Sequence, residues 1–165
     1  MTTFRIRSAQ PGDELEIVAM VRELAEYEQA ADLAIATPEQ FALALFEDSP
    51  TVFAHIAESE DGTAVGFALW FRNFSTWQGK HGIYLEDLYV RPNHRGNGIG
   101  QALMATLAAE CERRGYPRFE WWVLDWNESA RKVYEHLGAA ALTEWIPYRL
   151  SGENLTSLAL KESKP

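Results

Sequence analysis

The sequence holds one cysteine, four scattered histidines and no run of about 18 apolar residues. With Cys111 alone, an intrachain disulfide and a cysteine-rich metal site are excluded. Cys111 also sits among apolar neighbours in a helical pattern, which argues against a nucleophile. His55, His81, His94 and His136 share no ligand spacing, so no metal is expected. Positive charge is scarce: 15 Lys and Arg stand against 24 Asp and Glu, a net charge of −9. Nucleic acid and anionic membranes both need a basic footprint, so neither is an expected partner. A cationic substrate is compatible with this balance. The opening residues MTTFRIRSAQ lack the apolar centre of a signal peptide, and a cytoplasmic location is the expectation.

What is present fits a single domain over residues 1–165, long enough to bury a core. Hydrophobic residues make up 47% and charged residues 24%, ordinary values for a globular chain. Six Trp and eight Phe are enough for a core and, besides, a flat-walled pocket or a subunit interface.

Periodicity places a short strand at 4–7 and a helix at 11–28, where Leu15, Ile17, Val18, Val21, Leu24 and Ala25 recur at helical spacing. Thr37-Pro38-Glu39-Gln40 reads as a capped start for a helix over 38–47. Strands at 51–58 and 63–71 flank the turn Ser59-Glu60-Asp61-Gly62, and another strand runs over 82–90. A helix over 98–114 ends at Gly115, a strand covers 119–124, and a helix over 127–137 ends at Gly138. Two last strands are expected at 143–150 and 155–160. This order implies an α+β fold with a mixed, mostly antiparallel twisted sheet of about seven strands flanked by four helices. The β–α–β unit from 83 to 124 is expected to be parallel and right-handed.

Chemistry concentrates between Leu85 and Gly100, LEDLYVRPNHRGNGIG. An apolar strand enters a turn, glycines follow, and an Ala- and Leu-rich helix begins. Glycines at such a junction let backbone N–H groups approach an anion, and the helix N-terminus adds unpaired donors and partial positive charge. A pyrophosphate is therefore expected here. No Lys follows the glycines, so this is not a P-loop. The glycines at 96, 98 and 100 do not fit the dinucleotide pattern either.

Glu86 and Asp87 are out of place in an apolar strand and point to opposite faces, so at least one should meet a cleft. A carboxylate in a cleft can attract a cationic group and accept a proton from it. Glu86 is the candidate base. Downstream, Asn127 reads as a helix cap, with Tyr134 two turns along on the face shared by Ala130 and Leu137. A phenol can donate a proton to a leaving group.

The R-x-x-G-x-G stretch from Arg95 to Gly100, after Val90-Arg91-Pro92, resembles the acetyl-CoA signature of the GNAT superfamily of N-acetyltransferases. Asn127, Ala130, Tyr134 and Gly138 stand in the register of that superfamily's second pattern, and the element order covers nearly the whole chain. Arg22-Glu23-Leu24-Ala25-Glu26-Tyr27-Glu28, Trp77-x-Gly79-Lys80, Tyr84-Leu85-Glu86-Asp87 and Trp126-Asn127-Glu128 further resemble the diamine (spermidine/spermine) and thialysine acetyltransferases. The resemblance implies an acetyl-CoA site at Leu88, Tyr89, Val90, Arg95, Gly96, Asn97, Gly98, Ile99, Gly100, Gln101, Asn127, Ser129 and Ala130. It implies Glu86 and Tyr134 as base and acid, and an amine site at Tyr27, Glu28, Glu86, Asp87 and Trp77. Direct attack in a ternary complex follows, with a backbone N–H near Leu88 to Val90 steadying the oxyanion. It also implies a homodimer.

Two departures bear on the acceptor. Where the polyamine enzymes carry a carboxylate two residues before the tryptophan, this chain has Ser75, and the segment around Trp145-Ile146-Pro147-Tyr148 is less acidic than theirs. A diamine or a lysine-like amino acid is then as well suited as a long polycation. Acetylation of a protein amine, and a non-catalytic acyl-CoA-binding module, are the alternatives.

Overall fold

The computed structural model describes residues 3–162, which form two compact units divided after Trp122. The first unit holds β1 (Phe4–Ser8), α1 (Glu14–Tyr27), a 3-10 turn at Ala31–Leu33, and α2 (Pro38–Phe46). It continues with β2 (Val52–Ser59), β3 (Ala64–Ser75), β4 (Lys80–Val90), a 3-10 turn at Pro92–His94, α3 (Ile99–Arg114) and β5 (Phe119–Trp121). The second unit holds α4 (Glu128–His136) and α5 (Gly152–Ala159).

The sheet has five strands in chain order; β1 to β4 are antiparallel and β5 joins β4 in parallel. The α+β class and mixed sheet match expectation, whereas the counts of seven strands and four helices do not: there are five strands and five α-helices among the described residues. The difference lies mostly at the C-terminal end. Residues 143–150 form no strand, and Pro147 among them has no N–H to give a ladder. Residues 152–159 are helical because Leu155, Leu158 and Ala159 recur at three and four residues, not two, with Glu153 in the first turn. β5 stops at Trp121, not 124, because its pairing with β4 ends at Leu85, where β4 bulges.

Two apolar layers follow from strand alternation. Ile17 and Met20 of α1 and Leu45 of α2 cover Ala54, Ile56, Phe67, Leu69 and Tyr89 on one face of the sheet. α3 covers the other with Ile99, Leu103, Leu107 and Cys111. Gly66 permits that approach: a Cβ there would lie 2.8 Å from the Tyr89 carbonyl and 3.5 Å from Ile99 Cγ2. β3 is buried without a break from Ala64 to Trp70, as a strand covered on both faces must be. Helix starts obey local chemistry: Thr37 and Gln40 form a reciprocal capping box ahead of Pro38. Asp13, bonded to Arg7 at 2.6 and 2.9 Å, fixes the turn into α1.

Candidate active site

β4 leads directly into the glycine loop, and Arg91 fastens the junction. Its backbone N–H donates to the Val65 carbonyl (2.9 Å), and its guanidinium donates to the Ala64 carbonyl (2.8 Å), Glu16 (2.9 Å) and Glu23 (3.1 Å). Strands β3 and β4 and helix α1 are thereby tied at the root of the loop. Gly96 (φ 76°) and Gly98 (φ 82°) adopt the left-handed conformation, open to glycine at no steric penalty. The space beside both is open, with nothing within 4 Å of where a Cβ would sit. Asn97 braces the loop through its side-chain amide, donating to the carbonyls of His94 (3.1 Å) and Arg95 (3.3 Å).

The first bond of α3 runs from the Ala102 N–H to the Gly98 carbonyl. The six N–H groups of Gly96, Asn97, Gly98, Ile99, Gly100 and Gln101 have no acceptor among the described residues. Six successive free donors at the start of a 16-residue helix make an anion site of the kind a diphosphate fills. The expected loop residues are therefore brought together as a set.

Arg95 reaches back from this loop. Its Nε donates to the Val90 carbonyl at 2.8 Å, and its guanidinium carbon lies 5.2 Å from the ring centroid of Tyr27 and 5.5 Å from that of Tyr89. Arg95 and Tyr27 belong to two different parts of the site expected from the sequence, and the structure joins them.

The carboxylates gather one turn away along β4. The register passes from Leu69↔Asp87 to Trp70↔Leu85, so Glu86 is the extra residue of a β-bulge. Glu86 is exposed, and Asp87 lies opposite Leu69 on the face covered by α1. Burial first, then the charges of Glu86 and Glu28, push the Asp87 carboxyl up to about 6. Glu28 itself is raised by burial. It caps the C-terminal end of α1, beside Gln29, whose φ of 58° turns the chain away from the helix. Glu28, Glu86 and Asp87 thus form one electrostatically coupled group, suited to an ammonium ion.

Beyond the bulge, β4 keeps only one strand neighbour among the described residues. It pairs with β5 from Ile83 to Leu85, and Asp87 to Val90 pair with β3 alone. The other edge of Leu88, Tyr89 and Val90 has no strand partner among the described residues; the Val90 carbonyl accepts from Arg95, and the remaining groups of that edge can meet an extended ligand. Trp77 is apart from the carboxylates. It sits in the β3–β4 turn, 92% exposed. Glu86 lies six residues up β4 from Lys80, about 20 Å at 3.3 Å per residue.

In the second unit, the Asn127 side chain accepts from the Ala130 N–H at 3.2 Å, capping α4. Ser129 and Ala130 fill the first turn, and Gly138 (φ 85°) ends the helix. Asn127, Ala130 and Tyr134 are its less exposed positions, one face of the helix. Among the described residues, no group of three or more His, Cys, Asp or Glu is arranged to hold a metal ion.

The sequence profile of the acetyltransferase (GNAT) family matches residues 17–139. The chain belongs to this family. It is similar to the thialysine N-epsilon-acetyltransferase of Mus musculus, with 36% identity covering 96% of this chain and 99% of the relative. It is also similar to an L-ornithine N5-acetyltransferase of Arabidopsis thaliana, with 30% identity covering 93% and 87%. A solved integron cassette protein from the mobile metagenome of V. cholerae superimposes with a TM-score of 0.79 at 29% identity, over 96% of this chain and 99% of that one.

In this acetyltransferase, two features of the site escape sequence reasoning. Tyr89, expected only as part of the donor strand, supports Arg95 with its ring. Asp87, expected only as a binding residue, is a carboxyl group that burial pushes up to about 6. A signal for both was present: Asp87 and Tyr89 alternate along β4 and share the face that α1 covers.

Proposed function

We propose that this acetyltransferase moves the acetyl group of acetyl-CoA to the primary amine of a small cationic molecule, by direct attack in a ternary complex. The observation that carries this reading is the joining of two sites by α1. Its end supplies Tyr27 to the Arg95 of the anion loop and Glu28 to the Glu86–Asp87 carboxylates. Both relatives named above act, by their names, on amino acids with a side-chain amine. With Ser75 in place of a polyamine-binding carboxylate, a lysine-like amino acid or a diamine is the favoured acceptor.

Acetyl-CoA supplies the thioester carbonyl that the amine attacks. The N–H groups from Gly96 to Gln101, with Arg95, hold its diphosphate. The free edge of β4 at Leu88 to Val90 aligns the arm and offers an N–H to the oxyanion. Glu28, Glu86 and Asp87 draw in the ammonium, and Glu86 takes its proton directly or through water. Tyr134, placed in this role by its register after Asn127 and Ala130, gives a proton to the departing thiolate. Ser129, Asn127 and Ala130 belong to the donor site by resemblance alone. Trp77 belongs to the amine site by resemblance alone.

The proposal extends to assembly. Residues 1–165 act as one domain, supported by a family match that crosses the division after Trp122. A homodimer is supported by exposed Trp126, Trp145 and Tyr148 of the second unit, aromatic side chains that a second copy would cover. A cytoplasmic location completes the reading; no helix among the described residues is long and apolar enough to cross a membrane. Incubation with acetyl-CoA and single amines, followed by mass spectrometry, tests the activity. N-acetylated amine supports it; consumption of acetyl-CoA with hydrolysis as the sole outcome contradicts it.

A further inference from the structure

We infer that Tyr27 is a positioning residue for the acyl donor, acting through Arg95, in addition to bordering the amine site. The inference rests on the reading of the glycine loop as the diphosphate site. An arginine on a flexible loop has many rotamers, and holding one of them for a ligand is opposed by conformational entropy. Here the guanidinium is already held. The Tyr27 ring lies 5.2 Å from its central carbon, the Tyr89 ring 5.5 Å, and the Val90 carbonyl takes its Nε–H at 2.8 Å. Both ring distances are within the range of cation–π attraction.

That arrangement has a chemical consequence. Of the five guanidinium N–H groups, one is spent on Val90, and the Nη donors have no hydrogen-bond acceptor among the described residues. They are presented, fixed and unpaired, beside the six free N–H groups of the loop. A diphosphate therefore meets a donor set that needs little reordering. Tyr89 is buried in the core and cannot be varied without disturbing packing. Tyr27 is 41% exposed at a helix end, so its ring is the adjustable half of the clamp. Its neighbour Glu28 belongs to the proposed amine site, so on that reading one helix end serves both substrates.

A binding titration of acetyl-CoA without amine tests this. Tyr27→Phe keeps the ring and should bind within about twofold of the parent, whereas Tyr27→Leu should bind about fivefold more weakly. In an Arg95→Gln background the Tyr27→Leu effect should vanish, as it must if Tyr27 acts through Arg95. Thermal melting of each variant reports whether the fold is kept. The inference is overturned if Tyr27→Leu leaves acetyl-CoA affinity unchanged, if Tyr27→Phe loses as much as Tyr27→Leu, or if the loss persists at full size without Arg95. Failure of the parent protein to bind acetyl-CoA is a separate outcome: it removes the donor-site reading as well.

Discussion

Glu28, at the C-terminal end of α1, lies close enough to Asp87 on β4 for its charge to help raise the Asp87 carboxyl group to about 6. The pair links the helix that ends at the proposed amine site to the strand that carries the bulge. Burial is the larger cause, and like charge adds to it.

The first prediction concerns stability. Between the ordinary Asp value of 3.8 and about 6, the folded protein binds more protons at Asp87 than the unfolded chain does. Stability therefore falls as pH rises through that window, and the whole penalty remains above it. At 1.36 kcal/mol per pH unit the penalty is about 3 kcal/mol as an upper bound. Asp87→Asn should be stabilised more at pH 8 than at pH 4, which paired urea melts measure. An equal difference at both pH values contradicts the account.

The second follows from the same group in catalysis. An ammonium ion is held by ionised carboxylates, so kcat/KM for the amine should decline below about pH 6 in the parent protein. Asp87→Asn should lower kcat/KM and lose that acid limb. A limb that persists in the variant assigns it to another group.

His55 predicts the opposite sign of pH dependence. Its Nδ1 accepts from Trp70 Nε1–H at 3.2 Å, and burial, with Arg113 nearby, depresses its pKa. The unfolded chain then takes up the proton first, so this contribution is present above about pH 6.5 and is lost as pH falls. His55→Gln retains an acceptor for Trp70 without the titration. Between pH 5 and 7 the urea midpoint of this variant should rise less, or fall more, than that of the parent.

Gly98 separates backbone from space. A side chain there meets nothing within 4 Å, but φ of 82° strains any residue with a Cβ. Gly98→Ala should lower stability by about 1–2 kcal/mol and raise the KM for acetyl-CoA. An unchanged KM would mean that the loop is not where the donor binds.

The glycine loop was legible because its chemistry is local: strand, turn, glycine and helix cap follow one another in the chain. The caps at Thr37 and Asn127 were legible for the same reason. The bulge at Glu86 was not, since it depends on the register of β3 against β4, a property of two strands together. Nor was the contact of Arg95 with Tyr27, which are 68 residues apart and meet only when α1 packs on the sheet. The C-terminal strands were expected from apolar runs alone. Pro147 and the three- and four-residue spacing of Leu155, Leu158 and Ala159 carried the contrary signal.

The measurement that bears most directly on the account is thiol release from acetyl-CoA against a panel of amines. The panel holds putrescine, spermidine, lysine, thialysine, ornithine and a peptide, assayed with the parent, Glu86→Gln and Tyr134→Phe. The account predicts turnover on at least one small amine, with kcat reduced about a hundredfold or more in each variant. Tight acetyl-CoA binding with no release on any small amine, or release on the peptide alone, would contradict it.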